Sequence, residues 1–332
     1  MIRRIAPLAV TVAALALPAC GGDDDADLTI YSGRNEELAG ELIERFEREG
    51  DLQVDVRYGD SAELAATIAE EGDNSPADVF FSQDAGALGA VEDTLSSMPR
   101  SVLDAVPDRF RDPRGRWVGA SGRARVIAYN TDKFEESEVP DSVFDLTDKR
   151  WRGRVGIPPP NASFQAFVSA MRLEVGEKRT REWLEGMRDN DAQLYDNNIQ
   201  TVEAIGRGEI DLGLVNHYYL YELKREDPGL AVANHFLRRG DPGSLVNAAG
   251  VGILKTTDDQ DNAERFARFL VSKGAQRYFA EKTFEYPLIE GVQPPGGLPR
   301  LEELIGPQAE LGRLGNQLRS TLRLLDEVGF TT

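Results

Sequence analysis

The chain has 332 residues, 41% apolar and 8% aromatic, enough to bury a sizeable core and too many for a disordered polymer. Its formal charge of −19 repels nucleic acid and anionic lipid, which argues against a DNA- or RNA-binding role and fits a soluble body of two domains. Cys20 is the single cysteine, which excludes an intrachain disulfide and a cysteine metal cluster.

Residues 1–19 read as a signal peptide. Arg3 and Arg4 form a positive start, and the apolar run Ile5 to Leu17 is too short to span a bilayer. Leu17-Pro18-Ala19-Cys20 resembles the bacterial lipobox, in which cleavage precedes a cysteine that then carries lipid. Residues 20–27 follow as a lipidated cysteine and a flexible acidic tether, Gly21-Gly22-Asp23-Asp24-Asp25. The expectation is an exported protein, lipid-anchored at the outer face of the cytoplasmic membrane or in the periplasm.

The first folded unit opens with the apolar strand Leu28-Thr29-Ile30-Tyr31. Leu38, Leu42, Ile43 and Phe46 recur at helical spacing, Leu52, Val54 and Val56 alternate as a strand, and Leu64, Ala65 and Ile68 mark a second helix. Ala77 to Phe81 is a third strand. Strand–helix–strand–helix–strand predicts a doubly wound α/β unit whose strand ends line a crevice. After the extended run Arg125 to Tyr129 the pattern recurs. Val155-Gly156-Ile157 is a strand, Ser163–Leu173, Thr180–Met187 and Val202–Ile205 are helical, and Leu212–Val215 is a strand. Val246–Leu254 is apolar and glycine-broken, as for a segment crossing between domains. Helices near Glu264–Val271 and Leu311–Leu325 close the chain. Two α/β lobes joined by crossing strands leave a cleft between them, where small-ligand sites concentrate.

Leu214-Val215-Asn216-His217-Tyr218-Tyr219 is the most informative stretch. Adjacent residues on a strand point to opposite faces, so both phenols reach one ligand only if the backbone turns there. A phenol ionises near pH 10, so only a strongly charged cation, such as ferric iron, holds two of them as phenolates at neutral pH. The plainer alternative is that the rings cap a core with their hydroxyls wet. His217 is expected to face away from the tyrosines, and His235 to be structural.

The chain resembles the bacterial periplasmic ferric-ion-binding proteins, type II solute-binding proteins of iron importers. The resemblance runs in order through Ile30-Tyr31-Ser32-Gly33-Arg34, Glu71 to Phe80, Ser121-Gly122-Arg123-Ala124-Arg125-Val126, Asn216-His217-Tyr218-Tyr219 and Ala249-Gly250-Val251-Gly252. It implies a two-lobed periplasmic-binding-protein type II fold, each lobe a doubly wound mixed sheet joined by hinge strands. Residues 28–124 plus 249–300 would form one lobe, and 125–248 plus 301–332 the other. It also implies that Tyr218 and Tyr219 bind the metal. The family's further histidine and glutamate ligands correspond here to Asn35 and Gln83, the latter followed by Asp84, so two charged ligands are replaced by amides. A synergistic anion, phosphate or carbonate, would then rest on Asn161, Ala162 and Ser163 at a helix start, on Asn198 and Asn216, and on Arg123. The implied partners are an ABC-type permease and its ATPase, and the protein is expected to be a monomer.

An enzyme reading finds no Gly-x-Ser-x-Gly, no phosphate-binding Gly-Lys loop and no nucleophile–base pair. A carboxylate dyad of glycosidase type is not nominated by any two of the 57 acids. The rival within the binding class is the same scaffold holding a phosphonate, a polyamine or another oxyanion.

Overall fold

The computed structural model describes residues 26–304 and 310–330. Cys20 and the proposed signal peptide lie outside the described residues, as does the tether before Ala26. In the described chain no helix is long and apolar enough to cross a membrane.

Three strands, β1 (Leu28–Ser32), β2 (Val54–Tyr58) and β3 (Val79–Ser82), pair in parallel around β1. The helices α1 (Glu36–Gly50) and α2 (Ser61–Glu71) make the crossovers. α1 forms because Leu38, Leu42, Ile43 and Phe46 line one buried stripe, with acids in its first turn and Arg48 in its last. A short helix, α3 (Ala85–Ala90), follows β3 and is capped by the Asp84 carboxylate, which accepts from the Gly86 and Ala87 N–H groups. The single turn α4 (Arg100–Leu103) leads to β4 (Trp117–Asn130), fourteen residues long and buried throughout.

The second half repeats the alternation. β5 (Val155–Ile157), α5 (Ala162–Val175), α6 (Glu177–Asp189), β6 (Gln193–Leu194), α7 (Asn198–Gly206) and β7 (Leu212–Asn216) come in turn. Then follow α8 (Tyr218–Glu226), β8 (Val232–His235), β9 (Val246–Ile253), α9 (Gln260–Leu270), α10 (Lys273–Glu281), β10 (Tyr286–Pro287), α11 (Leu301–Leu304) and α12 (Leu318–Val328).

β4 belongs to both sheets. Up to Ala124 it runs antiparallel to β9, which in turn pairs with β3, and β10 joins its Ser121–Gly122 stretch. From Arg125 onward its partners are β7 and β8, with β5 and β6 beyond. The continuous order is β2-β1-β3-β9-β4-β7-β5-β6. Parallel crossovers with antiparallel crossing strands produce the two-lobed mixed α/β architecture expected from the sequence.

One expected helix is broken. Leu311–Leu325 is two 3-10 turns, Leu311–Arg313 and Gly315–Gln317, before α12 begins at Leu318. The cause is close packing against α3: a Cβ on Gly315 would sit 2.4 Å from the Gly89 carbonyl carbon. α12 then lies on α5 and α6, where the Arg172 guanidinium donates to the Gln317 carbonyl and to Ser320 and Thr321.

Candidate functional site

The strand β7 ends at Asn216, and His217 adopts helical angles (φ −58°, ψ −35°), so α8 starts at once with Tyr218. That turn brings the two phenols together: the Tyr218 and Tyr219 rings lie 4.2 Å apart between centroids, tilted by 32°. Tyr218 is fully buried and Tyr219 partly so. His217 points the other way. Its Nδ1 accepts from the Ala124 N–H, which leaves Nε2 to donate to the Phe284 carbonyl at 2.8 Å. His235 lies 2.9 Å from Asp141 at the far end of β8.

Facing Tyr219 is a cleft of about 470 Å³. Gly33, Asn35, Tyr58, Asp60 and Gln83 form one wall; Asn161, Ala162, Ser163, Asn197 and Ile199 form the other. Of the sequence candidates, Gln83 reaches the tyrosines: its Nε2 donates to the Tyr218 oxygen at 2.8 Å. Asn35 lines the mouth, exposed at the start of α1, and makes no side-chain cap bond. Asp84 is turned to the α3 backbone, and burial pushes its carboxyl up to about 6.

Four of the anion candidates, Asn161, Ser163, Asn198 and Asn216, form one connected cluster at the start of α5, and Arg123 is not bonded to it. Asn161 accepts from the Ser163 N–H at 3.1 Å, and Asn198 donates to Asn161 at 3.0 Å. The Asn198 carbonyl oxygen in turn accepts the Asn216 N–H at 3.2 Å. Ala162 opens the helix beside them.

Arg123, an expected anion contact, is joined at the site by two further arginines, Arg34 and Arg125. Arg34, Arg123 and Arg125 are all buried. Arg34 makes a bidentate pair with buried Glu285, at 2.9 and 2.6 Å, and its Nη1 also donates to the Gln83 Oε1 at 2.9 Å. Burial works against the Arg34 charge, but Glu285 outweighs it and the guanidinium is held above its ordinary range. Arg125 donates to Ser163 at 3.1 Å and to the Leu214 carbonyl; burial lowers it to about 9. Arg123 comes no closer than 3.8 Å to Glu285, and none of its three side-chain nitrogens has a hydrogen-bond partner. Arg123 faces Asn247 in the β4–β9 register and Arg125 faces Asn216 in β4–β7. The Nδ2 groups of both asparagines also lack partners. The orphaned atoms along this part of β4 are therefore all donors, an arrangement that favours negative charge.

Burial pushes both phenols up, Tyr218 well above its ordinary value, while Arg123 and Arg34 oppose the shift. Among the described residues no three His, Cys, Asp or Glu side chains gather as a metal cage. Glu222, one turn beyond the tyrosines on α8, carries a buried Oε2 without a hydrogen-bond partner. Arg125 was legible as the i+2 neighbour of Arg123 on the same strand face. Glu285, 251 residues from Arg34, gave no local signal.

Two α/β lobes sharing β4, with a polar cleft lined by helix starts, define a solute-binding protein. The chain belongs to the bacterial extracellular solute-binding protein family, whose pattern matches residues 23–304. Its function is accordingly binding and transport, not catalysis. The major ferric iron-binding protein of Neisseria meningitidis serogroup B is 32% identical, covering 92% of this chain and 93% of that protein. Iron-bound HitA from Pseudomonas aeruginosa superimposes with a TM-score of 0.86 at 32% identity, over 91% of this chain and 99% of HitA. Trichodesmium IdiA (FutA), solved with iron and citrate, gives 0.78 at 30% identity, over 92% and 99%.

Proposed function

We propose that this protein captures ferric iron together with an anion in the interlobe cleft, Tyr218 and Tyr219 acting as phenolate ligands, and delivers it to an ABC-type permease and ATPase. The observation that carries this reading is the turn at His217, which stacks the two phenols at 4.2 Å beside three buried guanidinium groups. Guanidinium charge favours phenolate over phenol, and the cation completes what burial resists. The relatives named above bind iron by their descriptions, which supports the same cargo here. The start of α5, with Asn161, Ala162, Ser163, Asn198, Asn216 and Arg123, is the proposed anion seat, for phosphate or carbonate. Export and a lipid anchor at Cys20 would hold the monomeric protein beside its permease.

The test is optical. Protein given ferric citrate, or ferric salt with phosphate, develops an orange-red phenolate-to-iron charge-transfer band, and the Tyr218→Phe/Tyr219→Phe double variant does not. A colourless wild-type complex, or a band that survives the double substitution, refutes the iron assignment.

The donor-only orphans on β4 favour one second reading, an oxyanion bound without metal. Phosphate or a phosphonate would then raise the melting temperature in the presence of a strong iron chelator.

A further inference from the structure

Gln83 is held at three points. Its backbone N–H donates to Ser61 Oγ at 2.9 Å, at the start of α2. Its Oε1 accepts from Arg34 Nη1 at 2.9 Å, and its Nε2 donates to the Tyr218 oxygen at 2.8 Å. Arginine is donor-only, so the contact with Arg34 fixes which end of the amide is oxygen. The NH₂ end must then face Tyr218. A carbonyl oxygen already committed to a buried guanidinium, itself clamped by Glu285, is turned away from the phenol oxygen.

We propose that Gln83 is a positioning residue and not a metal ligand: its amide carries the pull of Arg34 across the cleft, donates to the Tyr218 oxygen, and fixes that oxygen for the cargo. This rests on the proposed role of Tyr218. The chain Glu285–Arg34–Gln83–Tyr218 starts beside β10, passes the end of β3 and ends on α8, so it also ties the first lobe to the second. A carboxylate at this position would serve differently. It has no N–H to give and would face the phenolate with like charge.

The Tyr218 oxygen separates the two roles. As a donor to it, Gln83 lowers the phenolate's donor level, so Gln83→Ala weakens ferric binding and moves the charge-transfer band to longer wavelength. An unmoved band in Gln83→Ala overturns the inference. A second readout needs no iron: in ligand-free protein labelled with ¹³Cζ-tyrosine, the Tyr218 resonance, assigned with Tyr218→Phe, shifts in Gln83→Ala. An unchanged resonance overturns the inference too. A wild type that binds no iron but shows that shift sinks the iron reading and leaves the Gln83–Tyr218 contact standing.

Discussion

Gln83 and Tyr218 lie 135 residues apart, at the end of β3 in one sheet and the start of α8 beyond the other, yet their side chains meet at 2.8 Å. The contact closes one end of the cleft beside the phenol pair. In the ligand-free site both phenols are neutral, because burial raises them further above neutrality.

With Tyr218 and Tyr219 as the proposed ligands, iron uptake would release both phenolic protons. With the folded-state values raised, ionisation is present only at high pH without metal, so the metal competes with protons at every pH below that. Affinity should rise by close to two powers of ten per pH unit between pH 6 and 8, once the anion's own titration is subtracted. Calorimetry in buffers of different ionisation enthalpy counts the protons. A count near zero would mean that the phenols are not ligands.

Arg123 is a buried guanidinium with no hydrogen-bond partner, and it costs stability in the ligand-free protein. Arg123→Met should raise the stability of the ligand-free form by about 1–3 kcal/mol, a few degrees of melting temperature for a chain of this size. The same substitution should weaken anion-dependent cargo binding tenfold or more. Thermal melts with and without iron and phosphate read both effects.

His217, fully buried between Ala124 and Phe284, is lowered to about 4 by burial. The unfolded imidazole takes its proton near 6.5 and the folded one only near 4, so stability present above pH 6.5 is lost as the pH falls to 4. The gap is worth about 3 kcal/mol. His217→Asn should be less stable at pH 7, and its deficit should shrink by roughly that amount at pH 4. Urea unfolding at the two pH values decides it.

Asp84 runs the other way. Its folded carboxyl, raised to about 6 from 3.8, contributes stability below pH 3.8 that is lost as the pH rises through 6. Asn at this position keeps an oxygen for the Gly86 and Ala87 N–H groups without the buried charge. Asp84→Asn should gain up to about 3 kcal/mol at pH 7.5 and nothing at pH 4, with iron and anion binding unchanged. Loss of the charge-transfer band in this variant would instead return Asp84 to the site.

Periodicity made the strands and long helices legible, because each buries one face: Leu38, Leu42 and Phe46 on α1, or the apolar run of β9. The short elements were not legible. β6 and β10 are two residues each, and α3 is six residues of alanine, glycine and leucine with no polar face to contrast. At the site, Tyr218, Tyr219, Asn161, Ser163, Asn198 and Asn216 stood out through local order and resemblance, and their side chains or backbones meet. Asn35 and Asp84 were singled out by position, yet one faces the cleft mouth and the other its own helix. The electrostatics were hidden in sequence, since Arg34 meets Glu285 only after the chain returns from α10. A buried arginine is indistinguishable from a surface one until its neighbours are known.

The tail gives the molecule a further property. The turns at 311–317 sit on α3 in the first lobe, whereas α12 is bonded through Arg172 to α5 in the second. β4 and the entry to β9 carry the chain between the two bodies along one line, and rotation about that line would be free if they alone held the bodies together. A strap anchored away from that line removes the torsional freedom and leaves a single bending coordinate. The same two faces are thereby kept in register, with Gln83 opposite Tyr218.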